Sequence, residues 1–262
     1  RFTGVDEKAQ YAILQEVLAE MTTFELISTP PELSARVHEI VRAHTNHDDP
    51  YQQAKQTSTE QALALYPRLK AMIDDADTPL DTALRLAIAG NIIDFARPQD
   101  YDLWVVIERM LTQSFAVDDR AALRDRLAEA DEVLYLADNA GETVFDRLLI
   151  ETLAPPVVYV VKDGPALNDA TREDAVAAGL DAVTTVVSNG ARSVGTLLDR
   201  CSDEFRARFD AAELIIAKGQ ANYETLSGRD DPRIFFLLQA KCPVIARDLG
   251  ASVGSMIAKQ DM

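Results

Sequence analysis

The chain has few of the residues that form disulfide bonds or bind zinc. Two cysteines, Cys201 and Cys242, and three histidines occur in 262 residues. Two thiols do not make a disulfide framework, and there is no Cys and His cluster of the zinc type. Both cysteines are expected to be small core residues. A metal site in this protein is therefore expected to use oxygen ligands.

Several other features are missing. No GxGxxG or GK[ST] motif occurs, so neither a dinucleotide site nor a P-loop is predicted. No apolar run approaches the ~20 residues of a membrane span, and no secretory signal is visible, so we expect a cytoplasmic protein. Basic residues are outnumbered, with 26 Lys and Arg against 43 Asp and Glu and a net charge of −17. Such an acidic surface repels nucleic-acid phosphates and anionic lipids, so neither is an expected partner.

The pattern of the chain changes near residue 130. Residues 1–130 carry apolar side chains at helical spacing, and Pro30 and Pro79 stand where helices begin. After this point, short β-branched runs alternate with helical patterns; the runs are 133–137, 157–161, 182–187, 213–217, 234–238 and 243–246. This alternation predicts a parallel sheet covered by helices on both faces. We expect a helical domain over 1–130 packed on an α/β domain over 131–262.

The most informative segment is YLADNAGETVFDRLL, residues 135–149. It places Asp138 and Asn139 where an apolar run stops and a helix starts. In open α/β sheets, the carboxyl ends of the strands are where ligands bind. Carboxylate and carboxamide oxygens suit a hard divalent cation, and the following helix N-terminus favours an anion. We interpret this segment as half of a metal and phosphate site.

A second segment, VVKDGPALNDATREDA at 160–175, supplies the other half. Asn168 and Asp169 precede a helix about one strand–helix–strand unit beyond Asp138. Both carboxylates can therefore reach the same edge of the sheet. Read alone, each residue could be only a helix N-cap. Two such carboxylates at successive strand ends favour a shared metal ion.

Two later segments also follow apolar runs, at 217–226 and 239–250. In the first, Gly219 lets the backbone approach a ligand, and a cation, an amide and a carboxylate are supplied by Lys218, Asn222 and Glu224. In the second, Lys241 precedes the last predicted strand. The alternatives are an ordinary helix entry for the first segment and a solvated lysine for the second.

The helical part contains one anomaly. In GNIIDFA, Gly90 and Asn91 interrupt an otherwise apolar helix. We predict that the helical part contributes Asn91 to the site, close to the cation; a simple kink is the alternative. Covalent catalysis is disfavoured, because there is no GxSxG elbow and the DNAGE stretch lacks the second Asp of a phosphoenzyme loop.

Together, GNIIDF, LADNAGETVFD, VVKDGPALNDAT, LIIAKGQANYETL and KCPVIARDLGASVGS resemble the domain of unknown function 89 family, the metal-dependent damage-control phosphatases, in its stand-alone prokaryotic branch. The likeness spans nearly the whole chain in the expected order. The Cys-x-x-Cys segment with which that branch usually begins is absent from this sequence. The resemblance implies a helical N-terminal part packed on a Rossmann-like α/β/α domain.

The resemblance also implies a site. Its metal ligands are Asp138, Asn139 and Asp169, in agreement with the reading of the strand ends. Near the phosphate it implies Gly219, Asn222, Glu224 and Lys241. Mn(II), Co(II), Ni(II) or Mg(II) is expected, and affinity order alone does not choose among them.

The expected reaction is direct, metal-assisted hydrolysis of phosphomonoesters of small damaged or side-product metabolites, such as sugar phosphates. The cation polarises a phosphoryl oxygen, and Lys218 or Lys241 offsets charge on the other oxygens. A phosphometabolite-binding protein without turnover, and a transferase such as a methyltransferase in the same crevice, are the alternatives.

The proton transfers have several candidates. Asp138 or Asp169 could orient the attacking water, and Glu142 or Asp163 could shuttle the proton. Spacing along the chain does not choose among these carboxylates.

Overall fold

The fold is taken from a computed structural model, which describes residues 6–24, 29–45, 48–90 and 103–262. The helices in these ranges are α1 Glu7–Met21, α2 Pro30–Thr45, α3 Gln52–Asp74, α4 Pro79–Gly90, α5 Leu103–Thr112, α6 Arg120–Glu129, α7 Thr143–Ile150, α8 Arg172–Ala177, α9 Asp203–Ala211, α10 Gly219–Leu226 and α11 Pro243–Asp248. The strands are β1 Phe115–Asp118, β2 Val133–Leu136, β3 Val157–Val161, β4 Thr185–Ser188, β5 Leu214–Lys218, β6 Ile234–Gln239 and β7 Met256–Gln260.

Local sequence signals fix several helix ends. Pro30 and Pro79 open α2 and α4, as predicted, because proline suits the first helical turn. Asp6 caps α1 by accepting a hydrogen bond from the Ala9 N–H at 2.8 Å. Proline inside a helix favours a kink or a division, but α3 runs undivided through Pro67 from Gln52 to Asp74.

The strands form one sheet in the order β1-β7-β6-β5-β2-β3-β4. Every neighbouring pair is parallel except β6 and β7, which confirms the mainly parallel sheet. Strands β2, β3, β5 and β6 are buried along their whole length. Burial on both faces explains why they read as continuous apolar runs in the sequence.

Two strand assignments differ from the prediction. The run at 243–246 is not a strand but the start of α11, because Pro243 fits the first turn of a helix and a four-residue apolar run does not distinguish the two structures. The last strand is instead β7. Strand β1 lies before the predicted division near residue 130, yet it pairs with β7 at the edge of the sheet.

The direction in which successive strands are added to the sheet reverses between β2 and β5. From β2 it moves outward through α7 to β3, and from β5 it moves the opposite way through α10 to β6. The two faces have separate cores, with Tyr135 and Phe145 in one and Leu134, Tyr223 and Phe236 in the other. The carboxyl ends of β2 and β5 therefore meet at a switch point, where α/β sheets form their ligand crevice.

The helical part packs against this edge of the sheet. Helix α3 contacts the 3₁₀ turn at Ala140–Glu142, helix α2 contacts α10, and α4 packs on α7. Gly90 has a packing reason that the sequence did not reveal: a Cβ there would lie 2.9 Å from the Cβ of Phe145. Among the described residues, no helix has both the length and the apolar character needed to cross a membrane.

Candidate active site

The loops after β2 and β3 bring the three predicted ligands together. Asn139 and Asp169 pair through a backbone bridge, although 29 residues separate them in the chain. The Ala170 N–H donates to the carbonyl oxygen of Asp138 at 2.8 Å, and the Ala140 N–H donates to that of Asn168 at 2.8 Å. The two strand ends are therefore tied by main-chain hydrogen bonds. Asp138, Asn139 and Asp169 are all buried.

The orientation of the Asn139 side chain is fixed by two carboxylates. Its Nδ2 group donates to Oδ2 of Asp138 at 3.0 Å and to Oε1 of Glu142 at 2.6 Å. Since both partners are acceptors, the nitrogen must point toward them. The carboxamide oxygen then points away from Glu142, and it is the atom of this side chain that can ligate a cation.

Asp169 carries a buried oxygen that fits a cation. Within the described residues its Oδ2 atom accepts no hydrogen bond, and it lies 3.5 Å from the ammonium group of Lys162. Lys162 is itself buried and donates to the carbonyl oxygen of Gly195. Burial raises the pKa of Asp169 to about 6, although Lys162 acts in the opposite direction. A buried, under-satisfied carboxylate oxygen is costly unless a ligand completes its shell.

Asp138 lies in a strongly acidic environment. Burial first, and then the charges of Glu142 and Asp169, raise the pKa of Asp138 well above its ordinary value. Lys241 and Lys218 oppose this shift. Positive charge beside Asp138 would stabilise its ionised form.

Lys218 lies beneath the predicted ligands, not on the surface of the crevice. Its side chain is fully buried, and its ammonium group donates to Oε2 of Glu142 at 2.9 Å and to Oδ1 of Asp146 at 2.7 Å. Asp146 also accepts the hydroxyl groups of Tyr135 at 2.7 Å and Tyr159 at 2.8 Å. Glu142, predicted as a catalytic residue, thus uses one carboxylate oxygen for Asn139 and the other for Lys218.

Sequence reasoning does not identify the buried Asp146, and it notes the buried Lys162 only as one of three lysines beside apolar strand-like runs. Asp146 lies four residues after Glu142, so both carboxylates share one face of the segment that becomes α7. The sequence features that could have pointed to Asp146 are Tyr135 and Tyr159, because buried tyrosine hydroxyl groups in apolar strands need a polar partner. In the sequence, Lys162 is only a lysine at a strand end, and the fold brings it to Asp169.

Gly219 allows Asp138 to occupy its position. The backbone at Gly219 has a φ of +79°, and a Cβ there would lie 1.8 Å from Oδ2 of Asp138. Asn222 then joins the ends of β2 and β5, because its Nδ2 group donates to the carbonyl oxygens of Ala137 at 3.1 Å and Lys218 at 2.7 Å. Its carboxamide oxygen accepts the hydroxyl group of Thr196 at 2.7 Å.

The remaining predicted residues lie farther out or outside the described ranges. Glu224 is half-buried and accepts a hydrogen bond from Gln220 at 2.7 Å, and burial raises its pKa. Lys241 is exposed, and its backbone N–H donates to the same Gln220 at 3.1 Å. Asn91 lies outside the described residues, so its predicted position near the cation stays a prediction.

The donor set fits a hard divalent cation. In the described part of the chain, no three carboxylate, imidazole or thiolate groups form a metal cluster. The predicted set instead consists of two carboxylates and one amide. The buried ionisable groups around it are the acids Asp138, Glu142, Asp146 and Asp169 and the bases Lys162 and Lys218. Fully ionised, these six groups sum to −2, and a divalent cation would neutralise that charge.

The fold and this site define a Rossmann-like α/β protein with an acidic, oxygen-rich crevice at the switch point of its sheet. The family model of the damage-control phosphatase ARMT1-like domain matches residues 1–257. The chain therefore belongs to that family, and the resemblance to the domain of unknown function 89 family is confirmed.

Relatives and a solved structure agree with this assignment. The chain is 40% identical to damage-control phosphatase PH1575 of Pyrococcus horikoshii over 82% of this chain and 76% of that protein. It is 33% identical to a damage-control phosphatase of Archaeoglobus fulgidus, over 93% of this chain and 86% of the relative. The crystal structure of the Pyrococcus horikoshii DUF89 family protein superposes with a TM-score of 0.89 and 32% identity, covering 100% of this chain and 93% of that one.

Proposed function

We propose that this protein is a metal-dependent phosphatase that hydrolyses phosphomonoesters of small damaged or side-product metabolites, such as sugar phosphates. The observation that carries the proposal is the meeting of Asp138, Asn139 and Asp169 at the switch point of the sheet, among buried groups with an excess of negative charge. Relatives of this chain named damage-control phosphatases support the phosphatase assignment.

Asp138, Asn139 and Asp169 would hold the cation, which is Mn(II), Co(II), Ni(II) or Mg(II). When bound, such a cation polarises a phosphoryl oxygen and stabilises the charge that develops there. Oδ2 of Asp169, which accepts no hydrogen bond from the described residues, would be the oxygen that this side chain offers to the cation. Helix α3 packs on the turn that follows Asn139, and helix α2 packs on α10, so both lie at this edge of the sheet.

Lys241 is the lysine best placed to meet the phosphoryl group. It is exposed, whereas Lys218 is fully buried between two carboxylates, and its charge lowers the pKa of Asp138. An ammonium group close enough to act on Asp138 would offset charge on the phosphoryl oxygens that do not contact the metal. We therefore assign the phosphoryl contact to Lys241.

The test is a substrate-panel phosphatase assay on the full chain. The protein is stripped with a chelator and assayed with an aryl phosphate and a set of sugar phosphates, with each of the four cations added in turn. We expect chelation to abolish phosphate release and at least one cation to restore it. Full activity after exhaustive chelation would contradict the metal-dependent mechanism. Metal binding without phosphate release from any ester would favour the binding protein or the transferase.

Replacing Lys241 by methionine is expected to lower kcat by ~10²-fold, the usual order for one preorganised charge-stabilising donor. The exposed position means that stability should change little, because methionine keeps the aliphatic stem. Steady-state kinetics and thermal unfolding measure the two effects. Lys259→Met, at a half-buried lysine of β7, is the control and should leave kcat unchanged. Equal, small effects of the two changes would show that Lys241 does not act on the substrate.

A further inference from the structure

We infer that Lys218 is a positioning residue, which acts through Glu142 to hold the Asn139 carboxamide in the orientation that presents its oxygen to a divalent cation. The inference rests on the proposed function, since it concerns the cation of that site. It differs from the sequence prediction, in which Lys218 contacts the phosphate.

The contacts form one continuous buried chain. Lys218 donates to Oε2 of Glu142 at 2.9 Å, and Oε1 of the same carboxylate accepts from Nδ2 of Asn139 at 2.6 Å. On its other side Lys218 donates to Asp146 at 2.7 Å. Lys218, Glu142 and Asp146 have no exposed surface, so water does not compete for these hydrogen bonds.

An amide side chain needs such support because its two ends differ chemically. The carboxamide oxygen binds cations, whereas the NH₂ group is a donor that repels them. Rotation of Asn139 by a half turn would place NH₂ where the oxygen ligand belongs. Glu142 prevents this rotation, because a flipped amide would set its oxygen against the carboxylate oxygen at 2.6 Å. Lys218 in turn holds Glu142 in place and supplies the positive charge that a buried carboxylate requires.

Two tyrosines anchor the end of this series of hydrogen bonds that lies farthest from Asn139. Tyr135 and Tyr159 are register partners in β2 and β3, and both hydroxyl groups donate to Asp146. Through Asp146, these two strands of the sheet therefore fix the position of the Lys218 ammonium group. This arrangement has the form of the supporting hydrogen bonds that orient metal ligands, whose loss typically costs ~10–100-fold in metal affinity.

The molecule contains a matched control for the effect of stability alone. Lys55 is also buried, at 2% exposure, and pairs with two carboxylates, Asp49 at 2.8 Å and Asp174 at 2.9 Å. Neither partner belongs to the predicted ligand set. Loss of either lysine leaves two carboxylates without their ammonium partner, so Lys218→Met and Lys55→Met should both lower the melting temperature.

The experiment measures Mn²⁺ binding to the metal-stripped full chain by calorimetry. We expect Lys218→Met to weaken Mn²⁺ affinity by ~10-fold or more and Lys55→Met to leave it unchanged. If a lysine variant does not fold, Glu142→Gln and Asp174→Asn replace the pair. In Glu142→Gln, the new NH₂ group must point toward either Asn139 or Lys218. Since both of these partners are donors, one of the two hydrogen bonds is lost and replaced by a contact between two donors. The affinity for Mn²⁺ should therefore fall again.

The outcomes separate this inference from the proposed function. Wild-type Mn²⁺ affinity in Lys218→Met or Glu142→Gln overturns the inference, even if the wild-type protein is an active phosphatase. Equal losses of affinity in the Lys218 and Lys55 variants also overturn it, because the effect would then follow stability alone. A wild-type protein that binds Mn²⁺ but releases no phosphate contradicts the proposed function, and a selective loss in Lys218→Met would still support the positioning role.

Discussion

Asp138→Asn is expected to abolish phosphatase activity while leaving the chelator-treated protein at least as stable as the wild type. Asparagine keeps the shape of the side chain and removes a charge that is buried beside Glu142 and Asp169. Those carboxylates, together with burial, oppose ionisation of Asp138, so the neutral side chain relieves repulsion in the folded state. The proposed cation, however, would lose one of its two carboxylate ligands. Sites built for function commonly trade stability in this way.

The measurement combines phosphate release with thermal unfolding in the presence of a chelator. Activity should fall by more than the ~10–100-fold typical of residues that merely support a ligand. Asp210→Asn, at an exposed carboxylate on the surface, is the matched control and should change neither quantity. An Asp138→Asn protein with wild-type turnover would remove Asp138 from the ligand set. A large drop in melting temperature would instead assign it a structural role.

Gly219→Ala is expected to inactivate the enzyme by displacing Asp138. The new Cβ would stand 1.8 Å from Oδ2 of that carboxylate, so Asp138 or the start of α10 must move. The left-handed backbone at φ +79° adds a strain of ~1–2 kcal/mol for any residue with a Cβ. We expect loss of Mn²⁺ binding and of phosphate release, together with a lower melting temperature.

Gly228→Ala separates the two causes. Gly228 has nearly the same φ, +75°, but no atom lies within 4 Å of the position that an added methyl group would take. It should therefore show the backbone strain alone, with a melting temperature lowered by a few degrees and normal Mn²⁺ binding. If Gly219→Ala behaves like Gly228→Ala in Mn²⁺ titration and in kinetics, the close approach to Asp138 has no functional consequence.

The sequence was most informative where one strand ends and one helix begins. Asp138, Asn139 and Asp169 could be placed at successive strand ends, because continuous apolar runs identify buried parallel strands and the following polar residues must lie at their carboxyl ends. The same logic failed for 243–246, where a short apolar run opened by proline is helical. It also missed β1, which is four residues long with alternating burial at the edge of the sheet.

The pattern of residues did not reveal which polar groups face one another across the fold. Sequence reasoning predicts Lys218 as a cation for phosphate, and only the tertiary structure places it between Glu142 and Asp146, which precede it by more than 70 residues. Lys162 and Asp169 meet because the loop after β3 folds back on the strand end. Gly90 interrupts a helical pattern in the sequence, and the neighbour that explains it, Phe145, is close only in space.

By itself, the sequence determined the class of this protein: helices alternating with the strands of a mainly parallel sheet, and the edge of that sheet where Asp138, Asn139 and Asp169 meet. These follow from local periodicity and from the direction of the strands, which are properties of neighbouring residues. The tertiary structure decided which charges are buried: it places Lys218 between Glu142 and Asp146 and leaves Lys241 exposed. Those properties depend on how α2 and α3 pack against the two halves of the sheet. Such contacts join segments that are far apart in the chain, so they produce no regular spacing that could be read from the sequence.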